Sequence, residues 1–112
     1  MTTDSLSDSG PSAPLFVGLG ELIWDMLPEG RRLGGAPTNF AYMARLLGNR
    51  SAVASRVGQD ALGREARARL EAAGVSTEFI QVETEHPTGT VGVRIGERGE
   101  PTFTVNGNSA WD

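Results

Sequence analysis

Gly34-Gly35-Ala36-Pro37-Thr38-Asn39-Phe40-Ala41 is the stretch on which the reading of this 112-residue chain turns. Two adjacent glycines leave backbone amides bare, so that a ligand can come close to them. Pro37 follows in what reads as the first turn of a helix, where a missing N–H has no partner to lose. Asn39 sets a carboxamide beside this loop, a group that donates and accepts hydrogen bonds at once. Such a loop suits a polyhydroxylated ligand. The helix it opens is predicted to bury Phe40, Met43, Ala44 and Leu47, which recur at i, i+3, i+4 and i+7, and to end at Gly48.

Upstream, residues 15–19 read as a buried strand and residues 21–27 as a second one, turned at Pro28-Glu29-Gly30 into a short return over 31–33. Downstream, residues 52–57 form another apolar run ending at Gly58. Asp60 then stands as the N-cap of a helix over 61–73. Leu62, Ala66, Leu70 and Ala73 make the apolar stripe of that helix, and Arg64, Glu65, Arg67, Arg69 and Glu71 its wet face. A short strand over 79–82 follows the stop at Gly74. Residues 88–95 alternate Val91, Val93 and Ile95, turn at 96–100 and return over 102–105, a hairpin with one apolar face. The order predicts an α/β fold with a β flap, the lid strands lying at about 20–34 and 88–106. Two helices are too few to cover both faces of the parallel sheet, so a domain cut short is expected.

Composition narrows the function. With no cysteine, disulfide frameworks, thiolate metal sites and cysteine nucleophiles are excluded. All ten basic residues are Arg, which excludes a Walker or Schiff-base lysine within these residues. A net charge of −4 argues against a nucleic-acid or membrane partner. Residues 1–14 are polar, without an apolar run, and read as a disordered leader rather than a targeting signal. The most apolar stretch, 15–27, is interrupted by Glu21 and Asp25 and falls short of a membrane span. A soluble, cytoplasmic protein is expected. His86, the only histidine, has no second histidine with which to build a metal cluster and reads as solvated loop.

Fifteen glycines exceed the usual share of about 7% and sit in a few short places. Gly18-Leu19-Gly20 follows a strand, but the third glycine of a dinucleotide fingerprint would fall on Ile23, so that reading fails. The Gly34 loop is more specific. Gly34, Gly35, Asn39, Ala41, Gly48 and Gly58 fall at the spacing of the N-terminal signature of the PfkB, or ribokinase, family of carbohydrate kinases, which the chain resembles. Gly20-Glu21 with Asp25, Gly58-Gln59-Asp60-Ala61-Leu62-Gly63, Ala73-Gly74-Val75 and Pro87-Thr88-Gly89-Thr90 extend the resemblance from residue 15 to the last. The Gly-Gly-Ala-Pro form is fructokinase-like.

The resemblance implies the N-terminal part of a ribokinase-like three-layer α/β/α fold with a β-sheet lid. Its members phosphorylate a sugar with ATP and Mg²⁺. Carried onto matching positions, Asp25 accepts from sugar hydroxyls, Gly34 and Gly35 present backbone, Asn39 reads a further hydroxyl, and Phe103 lines the lid; Trp24 is a second aromatic for that lid, with plain packing as its simpler role. The lid also offers a homodimer contact. The family's Gly-Ala-Gly-Asp motif, which supplies the anion hole and the catalytic Asp, has no counterpart here. The C-terminal ATP-binding half is therefore expected to be absent, the chain alone is expected to be inactive, and neither ATP nor Mg²⁺ is expected to bind it by itself. A non-catalytic sugar-binding or dimerising module is the rival expectation.

Overall fold

The protein is described from a computed structural model, over residues 13–112. Most of the leader expected over 1–14 thus lies outside the described residues. Strand β1 (Leu15–Leu19) pairs in parallel with β4 (Arg50–Gly58), which pairs in parallel with β5 (Ile80–Glu83), giving a sheet ordered β1-β4-β5. Helix α1 (Ala36–Leu46) crosses from β1 to β4, and α2 (Ala61–Ala72) crosses from β4 to β5. Both crossovers step in the same direction, so right-handed connections bring both helices to one face. One core binds them there: Leu22 and Trp24, Ala41 of α1, Val53 and Val57 of β4, and Ala66 and Leu70 of α2.

Asp60 caps α2 as expected, its Oδ1 accepting from the Gly63 N–H at 2.8 Å, and Gly74 ends that helix with φ of +83°. Helix α1 departs from expectation. Its buried residues are Thr38, Ala41 and Ala44, whereas Phe40, Met43 and Leu47 are exposed. The reason is a close approach to β1: a Cβ on Gly18 would lie 2.1 Å from the Pro37 carbonyl oxygen. A helix pressed that near a strand presents its small residues to it, and its larger apolar ones turn away.

The second layer is the lid. Strands β2 (Ile23–Leu27) and β3 (Gly30–Gly34) form one hairpin, and β6 (Gly89–Ile95) with β7 (Pro101–Val105) forms the other. Parallel pairing of β2 with β6 fuses the two into one sheet ordered β3-β2-β6-β7. Cross-strand partners project to the same side of a sheet. Ile23, Asp25 and Leu27 therefore share a face with Arg32, Val91, Val93, Val105 and Phe103, while Trp24 and Leu33 point to the other. That other side rests on the α/β core. Trp24 is fully buried, donates its indole N–H to the Leu62 carbonyl at 3.0 Å, and has the guanidinium carbons of Arg31 and Arg69 at 5.4 and 5.2 Å from its ring centroid. Plain packing is the role of Trp24; it does not line a sugar face.

Candidate functional site

The loop between β3 and α1 is built against β2. Gly34 sits on the side chain of Asp25, and a Cβ added to it would lie 2.9 Å from Oδ2. Gly35 has φ of +99°, and a Cβ there would meet the Glu21 carbonyl oxygen at 2.7 Å, so both its conformation and its surroundings demand glycine. Gly35 is also the N-cap of α1 and brings no side-chain cap. The first amides of the helix are thus left to other acceptors. Half-buried Asp25 lies against the buried Gly34, and buried Gly35 continues the loop beside them.

Asn39 stands in the first turn of α1, its N–H donating to the Gly35 carbonyl at 2.9 Å. Its exposed side chain borders a cleft of about 530 Å³ between β3, α1 and α2, of which Asp25 is not a wall. The structure thus brings Asp25, Gly34 and Gly35 together and sets Asn39 at their margin. Phe103 lies on the lid face that carries Asp25, opposite Val93 and two strands from β2, and is 61% exposed.

Sequence reading missed the anchor of the lid. Asp60 does more than cap α2: Oδ1 also accepts from the Thr88 hydroxyl at 2.6 Å, and Oδ2 from the Thr88 N–H at 3.0 Å. The Thr88 hydroxyl in turn accepts from the Gly58 N–H at 2.9 Å. Three segments that the resemblance treated as separate motifs, the end of β4, the start of α2 and the root of β6, meet at this knot. Burial by itself raises the Asp60 carboxyl, but the hydrogen bonds from Thr88 and Gly63 and the charge of Arg64 outweigh it and hold the group below its ordinary value. Pairing of these motifs was invisible because Asp60 and Thr88 are joined only through space. The indole of Trp111 closes the other side of the lid root, lying where a Cβ on Gly89 would fall, 2.7 Å from its Cδ1.

His86 is exposed and bonded to Glu83, which also pairs with Arg56 at 3.5 Å. The hydrogen bond and charge of Glu83 raise the imidazole above its ordinary value. Among the described residues, no group of three or more His, Cys, Asp or Glu side chains is gathered for a metal. No helix among them is long and apolar enough to cross a membrane.

Comparison with known proteins bears on this geometry directly. Residues 29–112 match the family model of pfkB family carbohydrate kinases. The chain is 38% identical over 90 residues to a fructokinase of Vibrio alginolyticus, covering 76% of this chain and 29% of that protein. Among solved structures it superposes on fructokinase from Vibrio cholerae O395 with a TM-score of 0.81 and 32% identity, over 89% of this chain and 36% of that one. An uncharacterized sugar kinase from Pyrococcus horikoshii, solved in complex with ATP, gives a TM-score of 0.79 at 27% identity, over 88% of this chain and 35% of that one. The chain thus spans about a third of the length of these relatives.

Proposed function

The chain belongs to the pfkB family of carbohydrate kinases, and on that footing we propose that it supplies the sugar-holding part of a fructokinase-like phosphotransferase. The observation that supports this reading is the seating of Gly34 on the Asp25 carboxylate, which puts the glycine loop beside an acceptor of hydroxyl protons. A carboxylate accepts from two neighbouring hydroxyls at once, and bare amides donate to a third oxygen. Asn39, at the margin, reads a further hydroxyl through its amide. Phe103, exposed on the lid face that carries Asp25, covers the sugar and sheds its water when the lid lies over the loop. Exposed Phe103 and Val105 on that face also support pairing of two lids between copies of the chain.

A related sugar kinase and a related fructokinase are solved with ATP bound, which supports ATP as the phosphoryl donor. The residues present here do not fit ATP and Mg²⁺: the chain carries no lysine and no Gly-Ala-Gly-Asp. No step of phosphoryl transfer is therefore assigned to these residues. Calorimetry with D-fructose tests the reading. Binding is expected for the native chain and a loss of about tenfold or more for Asp25→Asn, the scale of one charge-assisted hydrogen bond. Absence of heat with fructose and with a panel of other hexoses and pentoses overturns it.

A further inference from the structure

We propose that Asn106, just past the end of β7, is a site of spontaneous covalent modification, at which the carboxamide is lost as ammonia through attack by the backbone nitrogen of Gly107. Water is the only co-reactant. The Gly107 nitrogen gives its proton to solvent base and forms a bond to the Asn106 Cγ; the Cγ–Nδ2 bond breaks, and the nitrogen takes up a proton and leaves as ammonia. The cyclic imide so formed takes up one water. Opening at one carbonyl carbon leaves aspartate, and at the other isoaspartate, in which the backbone runs through the former side chain.

The attacking nitrogen is open. Asn106 and Gly107 are both exposed, nothing lies within 4 Å of where a Gly107 Cβ would fall, and the Gly107 N–H makes no hydrogen bond among the described residues. That nitrogen is also activated, because the Ser109 hydroxyl donates to the Asn106 carbonyl at 2.9 Å. Carbonyl and nitrogen belong to one conjugated peptide unit, so a donor on the oxygen draws electrons from the nitrogen and makes its proton easier to lose. Ser109 is only 5% exposed, which keeps water from competing for this bond.

The other three asparagines lack this arrangement. Asn39 is followed by Phe40 inside α1, where the next N–H belongs to the helix ladder. Asn49 is held by the Ala44 carbonyl, which accepts from its N–H at 3.0 Å and from its Nδ2 at 3.2 Å. Asn108 is followed by buried Ser109, whose Cβ hinders the attack. The change matters to the lid, since Asn106 ties the end of β7 to β6: its N–H donates to the Thr90 carbonyl at 3.2 Å, and its Nδ2 to the Thr90 hydroxyl. Conversion removes the Nδ2 donor, and isoaspartate also lengthens the backbone beside the ladder.

The test holds the 112-residue chain warm in mildly alkaline buffer and follows it by mass spectrometry, trypsin cleavage after Arg98 releasing residues 99–112 as one peptide. A gain of about 1 Da is expected in that peptide, placed at Asn106 by fragmentation, with isoaspartate among the products. Gly107→Ala, for which the structure has room, is expected to slow the gain about tenfold or more, because a Cβ hinders the nitrogen. Ser109→Ala is expected to slow it about threefold by removing the activating donor. Amide exchange along β7 is expected to be about tenfold faster in the converted chain, with β4 unchanged. No gain, a gain at Asn39, Asn49 or Asn108 instead, aspartate without isoaspartate, a rate not lowered by Gly107→Ala or Ser109→Ala, or unchanged exchange in β7 overturns the proposal.

Discussion

At the scale of single residues, the glycines of this chain divide by what lies where a side chain would go. Gly18 faces backbone, the Pro37 carbonyl at 2.1 Å, which cannot move without pulling α1 off β1. Gly18→Ala is expected to cost about 1–3 kcal/mol of stability by overpacking, read as a lower denaturant midpoint with an unchanged slope. Gly34 faces instead the Asp25 carboxylate at 2.9 Å, a side chain that can swing aside. Gly34→Ala is expected to leave the melting temperature within a few degrees and to abolish fructose binding, because it re-aims the carboxylate rather than the fold. A melting temperature lowered as far as in Gly18→Ala would show that Gly34 serves packing and not the ligand. These two glycines look alike in the sequence, and only the identity of the facing atom tells them apart.

At the scale of elements, the Asp60 knot ties the lid to the α/β layer. Asn caps a helix about as well as Asp, so Asp60→Asn keeps the bond from Gly63 and loses the acceptor for the Thr88 N–H. A loss of about 1–3 kcal/mol is expected, the cost of stranding a buried donor, with faster amide exchange at the root of β6 than along α2. Equal acceleration in both elements would mean that the knot is only a cap. The carboxyl is held below its value of 3.8 in the native state, so its stabilisation is present above about pH 4 and is lost as pH falls through the lowered native value. Native Asp60 is therefore expected to show a steeper acid limb than Asp60→Asn in melts below pH 4. His86 behaves oppositely: bound to Glu83, it is raised above 6.5, so its contribution is present below that pH and fades as pH rises past it. His86→Gln is expected to flatten the profile on the alkaline side of 6.5.

At the scale of the whole molecule, the apolar surface left open is the largest departure from an ordinary monomer. Leu19, Phe40, Met43, Leu46 and Leu47 are exposed around β1 and α1, and β1 is an edge strand. Contiguous apolar surface beside an open edge favours association. Sedimentation is expected to show concentration-dependent self-association, reduced in a Leu19→Glu, Leu47→Glu double variant; a monodisperse monomer at all concentrations would contradict this. Purified as it stands, the chain is expected to show no ATP turnover with any hexose or pentose, because neither the anion hole nor the catalytic Asp is encoded in these residues.

The order of elements was legible in the sequence because their boundaries are set locally. Gly48, Asp60 and Gly74 stop or start helices through their own backbone and side-chain chemistry, and the alternation of Val91 and Val93 makes its strand wherever the partner lies. The sugar loop was legible for the same reason, as a motif contiguous along the chain. The buried face of α1 was not, since hydrophobic period alone chose Phe40 and Met43, whereas the close approach at Gly18 admits only Thr38, Ala41 and Ala44. Nor were the β2–β6 pairing that makes one lid from two hairpins or the Asp60–Thr88 knot. Each of these joins residues far apart in the chain, and long-range contacts are decided by how packed layers fit together, which no local pattern of residues records.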